Sequence, residues 1–154
     1  MPTEPAHSLA LRWLAQKSLS VGEIKERLTQ KQQDPLAIAD VVEQLLQVGL
    51  LDDGRLAQQI VAKGLERHEG PKRLAVRLAR RRIAPEVCRD LINDLQSHVD
   101  WLRIAEPLLE RYDISSQKER TRLVRRLVQE GFPGAVVYRL AGERGEDIRG
   151  VDDY

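Results

Sequence analysis

Two groups of residues in this chain have types and spacings that could do chemistry. The first is Asp52, Asp53 and Arg55. Convergent carboxylates serve acid–base or metal chemistry. Neighbouring residues of a helix point in different directions, however, and no His or Cys stands at ligand spacing. The pair therefore reads as the cap of a helix start, with Arg55 left for one of these acids or for a partner. His7, His68 and His98 form no HxxxH or HxxE pattern, and Cys88 stands alone, which excludes an internal disulfide and suits a small core residue. There is no GxxxxGK[ST] phosphate loop and no GxSxG. No catalytic residue, metal site or cofactor is expected.

The second group is basic. Arg73, Arg77, Arg80 and Arg81 are spaced i, i+4, i+7 and i+8, one stripe of a helix that Leu74 and Leu78 would anchor to a core. Like charges at that density repel unless an anionic partner or flanking acids offset them. From Lys63 to Arg89 there are nine basic residues, Arg67 and Lys72 among them, against three acids. A second cluster, Lys118, Arg120, Arg122, Arg125 and Arg126, is opposed by Glu119, whereas the stretch from Glu143 to Tyr154 is acidic. The near-neutral total of +1 thus hides segments suited to different partners. Two readings stand: a track for an anionic partner, or a solvated face. Aromatics at 4% argue against single-strand binding by base stacking, and Trp13 and Trp101 suit core or joint positions.

Few aromatics with many Leu, Ala, Arg, Glu and Gln favour helix over sheet, so the fold class expected is all-α. Helices are predicted over Ala6 to Lys17, with Leu9, Leu11, Trp13 and Leu14 on its stripe, from Val21 to Gln32 after the Ser20–Glu23 capping box, and from Asp34-Pro35 to near Gly49, presenting Ile38, Val41, Val42, Leu45 and Leu46. Asp52 or Asp53 opens the next, to His68. Gly70-Pro71 restarts the chain through Arg82, and Pro85 begins a helix carrying Val87, Leu91, Ile92 and Leu95. Three more follow near Asp100 to Tyr112, kinked or started by Pro107, Ser116 to Glu130, and Pro133 to Gly142.

These helices repeat. Ile24 and Leu28 recur as Leu74 and Leu78 and then as Leu123 and Leu127, while Pro35 recurs as Pro85. Leu9-Ala10, Leu56-Ala57 and Ile104-Ala105 each precede a bulky pair by four positions. A fixed period of helical units means a stack that offers a surface rather than a catalytic pocket. The expected organisation is a lead-in over 1–5, three-helix repeats over 6–49, 50–97 and 98–142, and an acidic tail over 143–154. In this register Arg77 corresponds to Arg27 and Arg126, and Arg73 to Arg122. No basic segment leads into an apolar run and no stretch is long enough to span a membrane, so cytoplasm is the expected compartment.

The segment from Gly49 to Ile83 resembles the RecX family of recombination regulators, whose central motif runs approximately (G)LxDDxRFAxxFVxxRxxxGxGPxRIxxELxxxGI. Asp52, Asp53, Arg55, Ala57, Val61, Gly70, Pro71, Arg73 and Leu78 match by position, as do Leu19-Ser20, Glu23 and Leu28 earlier and Gly131-Phe132 later. The chain departs where Leu56 and Ile60 replace aromatics, Gly64 an arginine, and His68 and Arg82 glycines. The resemblance implies an elongated, curved, right-handed-type array of three-helix repeats. It further implies a monomer that binds the RecA recombinase filament, with room for DNA backbone contact, and lowers its ATPase, strand-exchange and coprotease activities. The partner-binding residues expected are Arg27, Asp53, Arg55, Arg67, Lys72, Arg73, Arg77, Arg80, Arg81, Arg122 and Arg126. The alternative is a non-specific nucleic-acid-binding helical module.

Overall fold

A computed structural model of the chain describes residues 4–142. Within them the protein is all-α, with nine α-helices, one 3-10 segment and no strand. In chain order the helices are α1 (Ala6–Gln16), α2 (Val21–Gln30), α3 (Pro35–Gln47), α4 (Asp53–Glu66), α5 (Pro71–Arg80), α6 (Pro85–His98), α7 (Trp101–Ala105), α8 (Gln117–Gln129) and α9 (Gly134–Ala141). The acidic tail and the first three residues of the lead-in lie outside the described residues.

Local chemistry sets the helix starts. Ser20 Oγ accepts from Glu23 N at 3.0 Å, and Glu23 Oε1 accepts from Ser20 N at 2.9 Å, a complete capping box for α2. Asp34 accepts from Leu36 N at 2.8 Å, with Pro35 in the first turn of α3. The six periodic positions Ile24, Leu28, Leu74, Leu78, Leu123 and Leu127 are all at 0% exposure. Each such burial is worth about 2 kcal/mol, so the repeat period is the period of the core.

The helix ends show what the periodicity missed. Helices α2, α4 and α5 stop about two residues short of the predicted Gln32, His68 and Arg82, because those residues are left-handed, at φ 58°, 61° and 54°. The amide one residue further on reaches back five positions to a carbonyl, as in Gln33 N to Leu28 O at 3.1 Å. Helix α8 ends alike at Gly131, φ 85°, with Phe132 N on Leu127 O at 3.1 Å. This is the Schellman ending, which glycine adopts without penalty and a residue with a Cβ does not.

Among the described residues the chain forms two compact units, 4–59 with 78–88 and 60–77 with 89–142. In the first, α1, α2 and α3 enclose a core that includes Leu9, Ile24, Leu28, Val42 and Leu45, with Trp13, Leu14 and Val21 packed against it. Leu11 and Leu46, expected on the buried stripes, are exposed at 38% and 46%. Leu11 is two residues from Leu9, and so on the far side of α1, and Leu46 is about 100° around α3 from Leu45.

In the second unit Trp101, Ala105, Leu108, Leu123, Val124 and Phe132 are buried. The helix expected from Asp100 to Tyr112 is broken: α7 ends at Ala105, and Glu106–Arg111 is a 3-10 helix with Pro107 in its first turn. Proline lacks the amide that an α-helix needs there. Helix α6 buries none of its side chains fully; Val87, Leu91, Ile92 and Leu95 are half-buried, contrary to a core stripe. Cys88 is likewise half-buried, its Sγ 3.6 Å from Ile83 O, and burial raises its thiol pKa, with Asp53 and Glu86 acting the same way.

Candidate functional site

The basic stripe of α5 is built into two helix-end joints, one in each unit. In the first unit, the start of α2 meets the end of α5. Ser20, fully buried, donates from Oγ to Arg81 O at 2.5 Å. A Cβ on Gly22 would stand 2.5 Å from Arg82 O, so glycine permits the approach. The Arg81 Nε lies 3.2 and 3.1 Å from the two carboxylate oxygens of Glu23, and Nη2 donates to Ser18 O at 2.7 Å. Arg82 pairs with Glu26, its Nη2 at 2.9 Å. Burial pushes the Glu23 carboxyl upward, but hydrogen bonds from Arg81 and the Ser20 amide, with the charges of Arg81 and Lys17, outweigh it and hold the pKa below its ordinary value.

In the second unit, the start of α5 meets the end of α8 in the same way. Gly70 N donates to Glu130 O at 2.6 Å and Lys72 N to Gly131 O at 3.1 Å, so the carbonyls just past α8 accept from amides at the start of α5 and just before it. A Cβ on Gly70 would fall 2.5 Å from the Gly131 carbonyl. Arg73 Nε lies 2.7 Å from Glu69 Oε2 and 3.8 Å from Glu130 Oε2, and Nη1 donates to Gln129 O at 3.2 Å. Arg77 Nε bonds both oxygens of Glu69, at 2.8 and 2.5 Å. Arg126 Nε is 3.0 Å from Glu130 Oε1, close enough to pair its charge but without the geometry of a hydrogen bond. Glu69 is only 2% exposed. A carboxylate so desolvated is tolerated because two guanidinium groups meet it.

The two joints are one joint repeated with its charges exchanged. In the leucine register Ser20 corresponds to Gly70, Glu23 to Arg73, and Arg81 to Glu130. Acid sits at the helix start and base at the helix end in the first unit, and the reverse holds in the second.

The predicted partner-binding residues divide accordingly. Arg73, Arg77, Arg81 and Arg126 are joined to internal acids. Arg122 pairs with Glu119 at 3.0 Å. Arg27 stacks over the Trp13 ring, 5.6 Å from its centroid, a cation–π contact. Asp53 Oδ1 accepts from Val21 N at 2.9 Å, the first amide of α2. Asp52 takes the capping role at α4, accepting from Arg55 N at 3.1 Å. Arg55, Arg67, Lys72 and Arg80 are exposed, and their side chains have no ion-pair or hydrogen-bond partner among the described residues.

Sequence reasoning missed the acids Glu23, Glu26, Glu69 and Glu130 as partners of the stripe. The exchange of sign at positions 23 and 73, and at 81 and 130, was the signal that could have found them. Position 64, where Gly replaces the arginine of the family motif, is buried: a Cβ there would meet Leu74 Cδ2 at 2.1 Å and Glu69 Oε1 at 3.4 Å. His68 at its left-handed position sets Nδ1 3.1 Å from Ile104 O.

Beside Arg55, in the first unit, an open cleft of about 230 Å³ is lined by Ser18, Leu50, Asp52, Arg55, Leu56 and Gln59, among others. Among the described residues no group of three or more His, Cys, Asp or Glu is placed to hold a metal, and no helix is long and apolar enough to cross a membrane.

No family model matches the chain. It is similar to the protein named Regulatory protein RecX of Halorhodospira halophila, at 32% identity over 149 residues that cover 94% of this chain and 91% of the relative. It is also similar to the Regulatory protein RecX of Chromohalobacter salexigens, at 32% identity over 143 residues, 91% and 93% of the two chains. Among solved structures, the crystal structure of RecX from Lactobacillus salivarius superposes with a TM-score of 0.71 at 19% identity, covering 96% of this chain and 94% of that one, which shows the shared fold.

Proposed function

Because the chain belongs to the RecX family of regulatory proteins, we propose that it binds the RecA recombinase–DNA filament and lowers its ATPase, strand-exchange and coprotease activities, with no catalytic chemistry of its own. The proposal has the chain act as a monomer in the cytoplasm and modulate recombination and repair. The similarity to Regulatory protein RecX over nearly the whole of both chains carries this reading. The geometry supports it in a narrower way than the arginine count suggests. Arg73, Arg77 and Arg81 hold helix ends together and are not available as a free cationic stripe. Of the residues expected to meet a partner, Arg55, Arg67, Lys72 and Arg80 are the cations that no acid engages among the described residues, and they can take a partner's carboxylates or phosphates.

The deciding measurement is ATP hydrolysis by RecA on single-stranded DNA with increasing amounts of the purified chain. Suppression at comparable stoichiometry is expected, and unchanged hydrolysis and filament length at excess chain defeat the reading. A non-specific nucleic-acid module would instead bind bare DNA tightly, with a steep loss of affinity as salt rises.

A further inference from the structure

We propose that the acidic segment 143–154 docks on the basic outer face of α8 and screens its cations from other anions. The face follows from the helix itself. Leu123, Val124 and Leu127 turn inward and are buried. Lys118, Thr121, Arg122, Arg125 and Gln129, at i, i+3, i+4, i+7 and i+11, share the opposite side and are all exposed. No acid of α8 falls on that side. Glu119 is engaged by Arg122 at 3.0 Å, and Glu130, at the helix end, by Arg126 at 3.0 Å. Asp113, in the turn before α8, accepts from Ser115 Oγ at 2.6 Å and from Ser115 N at 3.0 Å. The side chains of Lys118, Arg120 and Arg125 have no ion-pair or hydrogen-bond partner among the described residues. Lys118 and Arg125 also stand one turn on either side of Arg122, a spacing at which like charges repel.

Two observations select the occupant. The described chain ends at Gly142, where a Cβ would stand 3.6 Å from Arg120 Cδ. The segment that follows is thus tethered beside the helix that carries the unanswered cations. It holds Glu143, Glu146, Asp147, Asp152 and Asp153 against Arg144 and Arg149, which leaves three negative charges for Lys118, Arg120 and Arg125. A chain of this length can extend about 40 Å, whereas α8 is about 20 Å long. The carboxylates can therefore pass from Arg120 round to Lys118 and Arg125. Tethering holds them at an effective concentration of about millimolar, so ion pairs that are weak singly suffice together.

No RecA enters the test, so its outcome stands apart from the filament reading. Amide spectra of the full ¹⁵N-labelled chain are compared with those of a variant carrying Glu143→Gln, Glu146→Gln, Asp147→Asn, Asp152→Asn and Asp153→Asn. The amides of Lys118, Thr121 and Arg125 should differ between the two. The difference should vanish in high salt and be the same at every protein concentration. The neutralised variant should also bind inorganic tripolyphosphate about threefold more tightly than the unaltered chain. Adding Lys118→Gln with Arg125→Gln should remove that gain, with helicity unchanged throughout. The proposal is overturned if the three amides coincide in the two chains. It is equally overturned if their difference grows with protein concentration, which puts the segment on a second copy. A gain that survives Lys118→Gln with Arg125→Gln also overturns it, since net charge alone would then account for the effect.

Discussion

Glu23 and Arg81, 58 positions apart, meet through hydrogen bonds to both carboxylate oxygens, and the equivalent pair in the next joint, Arg73 and Glu130, meets with the signs exchanged. The fold therefore accommodates either polarity at this contact. Reversing one member alone, Glu23→Arg, should destabilise the chain by about 2 kcal/mol, the scale of a charged hydrogen bond lost against an uncompensated charge. Adding Arg81→Glu should recover about half of it, the remainder being the capping bond that Glu23 accepts from Ser20 N and the bond that Arg81 donates to Ser18 O. A double-mutant cycle by urea unfolding measures the coupling, and additive losses would deny the pair.

Glu23 also fixes a pH dependence. Its folded-state pKa is held below the ordinary glutamate value of 4.5, so the unfolded chain binds the proton more readily. Stability from this group is complete above that ordinary value and is lost as the pH falls through the depressed one. Comparing Tm at neutral pH and below pH 4.5 for the chain and for Glu23→Gln checks it. The variant should start less stable and lose less on acidification.

Three helix ends in the same register offer a graded test of backbone strain. Gln32, Arg82 and Gly131 all adopt positive φ. Gln32→Gly should stabilise by about 1 kcal/mol, because it removes the cost of a left-handed Cβ. Arg82→Gly should gain less, since it also loses the exposed pair with Glu26. Gly131→Ala should lose at least about 2 kcal/mol, because its Cβ would stand 2.3 Å from Arg73 N. Thermal melts rank the three, and the order is the prediction.

Charge reversal should separate scaffold from surface. Arg67→Glu, Lys72→Glu and Arg80→Glu together touch no ion pair of either joint and should leave helicity and Tm nearly unchanged, within about 1 kcal/mol. The same triple change should weaken suppression of RecA ATP hydrolysis about tenfold or more. Arg73→Glu with Arg77→Glu should instead unfold the second joint, because Glu69 is left buried among acids. Equal losses of stability in both variants would reject the distinction.

The core was legible in the sequence because burial follows a helical period: Ile24, Leu28 and their equivalents are fully buried where the period puts them. The caps at Ser20, Asp34, Asp100 and Ser116 were legible because the groups involved lie within three residues of each other. Leu11, Leu46 and the apolar face of α6 were overread, since an apolar residue near a stripe is not thereby on it. The arginine face was read correctly as a face and incompletely as chemistry. Its partners Glu23 and Glu130 arrive from other repeats, and local spacing carries no information on contacts at such separations.

The exchanged charges bear on assembly errors. A joint formed from a helix start and a helix end, with another start and another end left over, is a connector that could in principle link the wrong pieces or run on from one molecule to the next. A match of the α2 start with the α8 end would set Glu23 against Glu130, and a match of the α5 start with the α5 end of another copy would set Arg73 against Arg81. Each would oppose like charges and would leave every member without the opposite charge it meets in the correct joint. The charges at these two joints thus favour the matches the fold makes over the two that exchange their ends.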